Sequence, residues 1–136
     1  MGLPIVTGRI KPGWTSSGFT LIELLIVMAI IGTLLSIAVP RYFHSLAHAR
    51  ETVLRQDLAI LREALDKHYA DVGVYPESLT VLVEKSYVRA LPADPFTKST
   101  ESWALVLSDD PDHAGIRDIH SGAVDQAIDG TPVSTW

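Results

Sequence analysis

The feature that most constrains this sequence is an apolar stretch at residues 19–39, in which Glu23 is the only charged residue. At about 1.5 Å per residue, an α-helix of this length rises about 31 Å, which is enough to cross the hydrocarbon core of a bilayer. A helix without a polar face is stable in lipid or against other apolar helices. The sequence therefore predicts a transmembrane or filament-core helix, with any globular head built from later residues.

Residues 1–18 predict a leader peptide that takes no part in the fold. They contain Arg9 and Lys11, no acidic residue and no helical periodicity. A basic flank before an apolar stretch is the pattern that keeps an N-terminus in the cytoplasm. The net charge is −5, so the rest of the chain is acidic, which argues against a nucleic-acid partner. The chain has no cysteine, which excludes disulfides and thiolate ligands.

Three interpretations compete for the apolar stretch. A cleaved secretory signal has a shorter core, although Ser36-Ile37-Ala38 offers it a small-residue cleavage site. A plain membrane anchor explains the length but leaves Glu23 as a tolerated charge that reaches the membrane surface. A filament stem explains both, because a cut between Gly18 and Phe19 creates an amino group four residues before Glu23. That amine would pair with Glu23 of the same or an adjacent chain and so favour one packing register.

Helical periodicity continues beyond Pro40, which should kink the helix or mark its emergence from the membrane. The predicted helix runs from about residue 19 to about 71, before Gly73 and Pro76. Its second half carries one apolar stripe: Leu46, Val53, Leu54, Leu58, Leu61, Leu65, Tyr69 and Val72. Opposite charges four residues apart predict a solvated face with these pairs: Glu51/Arg55, Arg62/Asp66 and Glu63/Lys67.

The rest of the chain predicts a small α+β head, residues 41–136, that includes the amphipathic half of the long helix. A short helix is expected at residues 78–85 and strand candidates at residues 103–107 and 116–120, followed by a turn-rich tail. The predicted fold is therefore a long N-terminal helix, kinked near Pro40, packed on a head with a short helix and a small antiparallel sheet. Residues 19–40 form the transmembrane or filament-core part.

The segment Gly18-Phe19-Thr20-Leu21-Ile22-Glu23, followed by an apolar stretch and Pro40, resembles the signal of type IV prepilins and type II secretion pseudopilins. The resemblance implies that a prepilin peptidase cuts between Gly18 and Phe19 and N-methylates Phe19. It also implies that Glu23 is the assembly glutamate and Pro40 the kink-forming proline.

Later segments resemble the major pseudopilins of type II secretion systems: residues 71–76, 91–96 and 118–123, then Asp129-Gly130 and Trp136. The absence of cysteine agrees, because many type IV pilins close their C-terminal region with a disulfide. Major pseudopilins commonly bind calcium in a longer C-terminal loop, so the resemblance makes Ser121, Asp125 and Asp129 candidate calcium ligands. The alternative is a hydrogen-bonded turn without metal.

The resemblance implies a structural subunit of a type II secretion pseudopilus that polymerises through its N-terminal helix to drive export across the outer membrane, rather than an enzyme. The precursor would lie in the bacterial inner membrane with its head in the periplasm. Its expected partners are copies of itself, prepilin peptidase, minor pseudopilins and an inner-membrane assembly platform. Two alternatives remain: a type IV pilin or minor pilin for adhesion, motility or DNA uptake, and a monomeric membrane-anchored periplasmic binding protein.

His44 and His48 have the spacing that helical zinc sites use, but no acidic partner accompanies them as in the His-Glu-x-x-His motif. Surface or juxtamembrane histidines are the favoured interpretation. No nucleophile elbow, phosphate-binding loop or Cys/His metal spacing is present in the sequence.

Overall fold

The computed structural model describes residues 18–136 together with Gly2 and Gly8, so most of the predicted leader lies outside the described residues. In chain order the elements are α1 (Leu21–Val72), α2 (Leu79–Glu84), β1 (Ala104–Leu107) and β2 (Ile116–His120), with short 3-10 helices at Pro111–His113 and Val133–Thr135. A long helix, a short helix and a two-stranded antiparallel sheet confirm the predicted α+β class. The chain divides between Ala38 and Val39 into two compact units. We call residues 18–38 the stem unit and residues 39–136 the head unit.

α1 begins and ends within two residues of its predicted bounds. It stops where Gly73 adopts φ +82°, a left-handed conformation that glycine adopts without a steric penalty. The Gly73 amide still donates to the Tyr69 carbonyl at 2.8 Å, which satisfies one carbonyl of the last turn. Pro40 lies inside the helix, and a bend at this residue stays a prediction.

The buried face of α1 in the head unit agrees only partly with the predicted stripe. Its central leucines are buried as expected: Leu54, Leu58, Leu61 and Leu65. Three other predicted members are exposed: Leu46, Val53 and Val72. The remaining buried positions are polar or small: Glu51, Ala64 and His68. These residues lie within the same alternation of three and four residues as the leucines, so helical geometry rather than hydrophobicity decides which side chains are covered.

The two strands pair antiparallel, with Leu105 opposite Ile119 and Leu107 opposite Ile116. The register shifts between Val106 and Leu107, which leaves Arg117 as an extra residue in β2. In a regular strand, residues three apart point to opposite faces. The bulge changes this alternation, so both Ile116 and Ile119 are fully buried. A regular alternation of inward and outward side chains would not have placed both isoleucines on the inward face.

The core of the head unit forms where these elements meet the leucine face of α1. Leu82 from α2, Trp103, the two β2 isoleucines and Val133 join the buried cluster. The Trp103 indole N–H donates to the Pro92 carbonyl at 3.1 Å, so the ring is buried without an unpaired polar atom. Gly122 lies directly against the chain at Ser102, since a Cβ on Gly122 would be 1.8 Å from the Ser102 carbonyl oxygen.

An arginine joins α1 to β2. Arg62 Nε donates to Asp118 Oδ1 at 2.8 Å, and its guanidinium also donates to the Ile119 carbonyl at 2.8 Å. Arg62 therefore pairs with Asp118, which is distant in sequence, and not with the predicted partner Asp66. The predicted Glu63–Lys67 pair does form, at 2.7 Å. Burial acts to raise the pKa of Asp118, but hydrogen bonds from the Ile119 amide and Arg62 outweigh it and lower that pKa.

Leu61→Ala should lower the free energy of unfolding of the full chain in detergent by about 2–5 kcal/mol, because it leaves a cavity under α1. Ile60→Ala is the matched control: Ile60 is 43 % exposed, so its truncation should cost much less. Denaturant unfolding followed by tryptophan fluorescence measures both changes. Equal losses for the two variants would contradict this assignment of the core face.

Asp118→Asn should reduce the acid sensitivity of the head unit. Because the pKa of Asp118 is lowered on folding, its carboxylate stabilises the fold above the unfolded-state pKa of about 3.9 and loses this effect as pH falls through the folded-state pKa. The variant should have a lower Tm at neutral pH and a shallower fall in Tm between about pH 6 and about pH 3. Asp66→Asn serves as the control and should keep the wild-type slope. Identical slopes for wild type and Asp118→Asn would contradict the prediction.

Candidate functional site

The stem unit is an apolar helix that the chain itself does not cover. Its large side chains are all exposed, from Phe19 at 85 % to Ile37 at 58 %. Within the described residues, α1 is the one helix long and apolar enough to cross a membrane, as judged by length and composition. Such a surface requires lipid or another apolar surface as its surroundings.

The polar hydroxyls of the stem unit are satisfied within the helix. Thr33 Oγ1 donates to the Ala29 carbonyl at 2.8 Å, and Ser36 Oγ donates to the Thr33 carbonyl at 2.7 Å. Internal hydrogen bonding of this kind lets a helix enter an apolar environment without unpaired polar groups. Glu23 is the one ionisable side chain of the stem unit.

Glu23 lies in the first turn of α1, directly after the predicted cleavage site. Its backbone amide donates to Thr20 Oγ1 at 3.2 Å, so Thr20 caps the helix. The spacing Thr20-x-x-Glu23 is that of a capping box, a signal that the sequence interpretation missed. A carboxylate at this position also interacts favourably with the helix dipole. The observed cap is thus made by the Thr20 hydroxyl, and the Glu23 carboxylate supports the helix start through its charge. Gly18 and Phe19 precede the helix and are exposed.

The three candidate calcium ligands lie in the C-terminal segment, residues 121–136. Ser121 is fully buried, and its hydroxyl donates to Asp94 Oδ2. Asp129 Oδ1 accepts from the Thr131 amide at 2.9 Å and its hydroxyl at 2.6 Å, and these bonds lower the pKa of Asp129. Asp125 is exposed. No group of three or more His, Asp or Glu side chains converges to hold a metal within the described residues, so the segment lacks the cluster of carboxylates on which calcium sites are usually built.

Asp94 is a buried organising residue in the irregular segment between α2 and β1. Its Oδ1 accepts from the Phe96 amide at 2.8 Å, while Oδ2 accepts from Ser121. The side chain therefore shapes its own turn and attaches the start of the C-terminal segment to it. Burial, together with the nearby Asp94 carboxylate, raises the pKa of Asp57 on α1. The Asp94-Pro95 pair was the available sequence signal, because such pairs favour turn initiation.

The two helical histidines line a cavity of about 300 Å³ in the head unit, together with four other residues: Glu51, Arg55, Ile128 and Asp129. Both histidines are exposed. The described residues do not place them in a metal-binding group, and a cationic arginine shares the cavity. The cavity lies where α1 meets the C-terminal segment.

Comparisons with known proteins converge on one family. The prokaryotic N-terminal methylation motif matches residues 15–39. Three similar proteins are each named type II secretion system core protein G: those of Pseudomonas aeruginosa (33 % identity over 59 % of this chain and 68 % of that protein), Escherichia coli (34 %, 58 % and 66 %) and Vibrio cholerae (33 %, 59 % and 65 %). The chain thus spans about two thirds of the length of these relatives. No solved structure matches the chain.

The methylation motif covers the cap, the candidate cleavage site and the whole apolar stem, whereas the relatives share sequence with more than half of the chain. An exposed apolar helix behind a methylation motif, joined to a small α+β head, agrees with both findings. The chain therefore belongs to the family of type II secretion system core protein G, a family of pseudopilins whose members are structural proteins rather than enzymes.

Proposed function

We propose that this chain is a subunit of a type II secretion pseudopilus and polymerises through its stem to drive export across the outer membrane. The observation that carries the proposal is the uncovered apolar helix that begins at a single carboxylate. The precursor would span the bacterial inner membrane by this helix, with its head in the periplasm, and would move into the periplasmic pseudopilus on assembly. The name of its relatives supports the secretion context.

Apolar burial between stems would stabilise the filament. Removal of apolar surface from water contributes roughly 25 cal/mol per Å² of stabilisation. A stem in lipid is already out of water, so its assembly gains little from this effect. Assembly from the membrane must therefore rely on close packing between helices. One face of α1 offers a shallow groove with a small floor at Ala29 and Thr33, flanked by Ile26, Ile30 and Leu34. Small residues of this kind let neighbouring helices approach closely.

Cleavage between Gly18 and Phe19 would give Glu23 its partner. The new amine at Phe19, N-methylated and cationic at neutral pH, would lie just before the capped first turn of α1. In an apolar filament interior an unpaired carboxylate is strongly disfavoured, so pairing with the amine of an adjacent copy would select one axial register. Pro40 would permit the helix to bend where it leaves the membrane.

Membership of the family supports this function over the two alternatives from the sequence. A type IV pilin or minor pilin would share the stem chemistry, but the relatives carry the name of a secretion protein. A monomeric anchored binding protein would need neither the methylation motif nor the carboxylate. Copies of the chain are the primary partner, with prepilin peptidase, minor pseudopilins and an assembly platform as the expected machinery.

The processed N-terminus tests the filament function directly. Protein recovered from cells with active prepilin peptidase should begin at N-methylated Phe19, as read by mass spectrometry of the N-terminal peptide. A Gly18→Leu variant should keep its leader, because a bulky side chain replaces the residue before the cut. A mature chain beginning at Val39 would instead indicate a secretory signal, and an intact wild-type leader would indicate a plain anchor.

Glu23 variants separate its capping role from its charge. Glu23→Gln keeps a side chain that can complete the capping box but removes the charge, while Thr20→Ala removes the cap and keeps the charge. Membrane insertion should persist in both variants. Glu23→Gln should abolish most assembly, measured by cross-linking between subunits and by secretion from a complemented deletion strain. Thr20→Ala should retain most of it.

If Glu23→Gln assembles normally and Thr20→Ala does not, Glu23 acts through helix capping alone. That outcome would refute a role for its charge in assembly. Imaging the same strains for surface fibres distinguishes the systems. Loss of secretion with intact motility supports a pseudopilus, whereas loss of motility with normal secretion indicates a type IV pilus.

A further inference from the structure

We propose that the C-terminal segment, residues 121–136, is held against α1 by protein side chains in place of a metal ion, with Glu51 as its anchor. The head unit should then fold and assemble without calcium. The resemblance to major pseudopilins implied a calcium site in this segment, but within the described residues the segment lacks the cluster of carboxylates on which such sites are usually built. The described contacts identify what replaces it.

Glu51 makes the central contact. Its side chain is buried, with the residue 6 % exposed, and Oε1 accepts a hydrogen bond from the Ile128 amide. A buried carboxylate is costly to leave unpaired, so this bond strongly favours one position of the segment. A bound cation would attract carboxylates from the segment itself. Here a carboxylate on the helix binds the segment's backbone instead.

One arginine on α1 contacts the end of the segment, and a second fixes the strand from which the segment starts. The Arg55 guanidinium lies 4.0 Å from the centroid of the Trp136 ring, in a cation–π contact at the end of the segment. Arg62 binds the end of β2, from which the segment starts, through Asp118 and the Ile119 carbonyl. Residues four and seven positions apart lie near one helix face, so α1 presents three charged side chains towards one stretch of chain.

The segment also satisfies its own polar groups. The Ala127 amide donates to the Thr131 carbonyl at 2.8 Å, and the Val133 amide donates to the Asp125 carbonyl at 3.1 Å. Asp129 caps this turn through Thr131. Small apolar side chains complete the attachment by burial in the core: Ala123, Ala127 and Val133.

These contacts already engage several of the oxygens that a calcium site in this segment would use. Calcium takes about six to eight oxygen ligands. The Ser121 hydroxyl is committed to Asp94, and Asp129 Oδ1 is committed to Thr131. Asp125 is exposed, but its backbone carbonyl already accepts from Val133. A cation here would compete with the hydrogen bonds that now define the path of the segment.

The test is amide hydrogen exchange of the full chain in detergent, read by mass spectrometry over residues 121–136. Exchange and Tm of the wild type should be the same in EDTA and in about 5 mM calcium, a concentration above the dissociation constants of weak extracellular sites. Glu51→Ala should speed exchange in this segment by roughly tenfold or more, because a hydrogen bond to a charged group is lost. Glu51→Gln, which keeps an acceptor oxygen, should have a smaller effect.

Glu63→Ala is the matched control, since Glu63 is an exposed glutamate of the same helix paired with Lys67; it should leave exchange in the segment unchanged. If Glu51→Ala does not fold, amide exchange over residues 121–136 is compared between the wild type, Glu51→Gln and Arg55→Ala instead. The proposal is overturned if calcium slows exchange or raises Tm in the wild type. It is also overturned if both Glu51 variants exchange like the wild type.

Discussion

Every element of the head unit depends on one packed surface, the leucine face of α1. Leu54, Leu58, Leu61 and Leu65 are covered by α2, by β2 and by the C-terminal segment, and these elements are too short to be stable alone. A six-residue helix and a two-stranded sheet gain their stability from the surface they cover. The same helix begins in an apolar stem with no polar face, so one continuous element supplies both the foundation of the head and the uncovered apolar surface.

Charged side chains on α1 bind specific residues of the segments that pack against it. Arg62 binds β2, Arg55 contacts Trp136 and Glu51 binds the Ile128 amide. Asp94 performs a similar task from a loop by binding Ser121. In a small domain without cysteine, such contacts connect distant parts of the chain that no disulfide can join. For the buried carboxylates Glu51 and Asp94, the cost of an unpaired buried charge makes the contact selective for one arrangement.

Most of the fold was predictable from periodicity and turn chemistry. The long helix, the short helix and both strands lie within one or two residues of their expected bounds, because Gly73 and Pro76 end α1 locally. The stem was equally predictable, since one carboxylate in a long apolar stretch has few interpretations. The buried face of α1 was harder to predict. The sequence assigned Glu51 to a solvated face with Arg55 and paired Arg62 with Asp66, whereas Glu51 binds Ile128 and Arg62 binds Asp118. Helical spacing identifies possible partners on the same helix, but it contains no information on partners that arrive from β2 or the C-terminal segment.

The sequence by itself determined the apolar stem, its single charge, the methylation motif that includes Gly18 to Glu23, and the α+β class, because these properties depend on neighbouring residues. Only the tertiary structure decided that Ser121 serves Asp94, that a bulge at Arg117 buries both β2 isoleucines and that Glu51 binds the C-terminal segment. Each of these depends on residues brought together from far apart in the chain. Their partners are chosen by the geometry of packing, which no local pattern encodes.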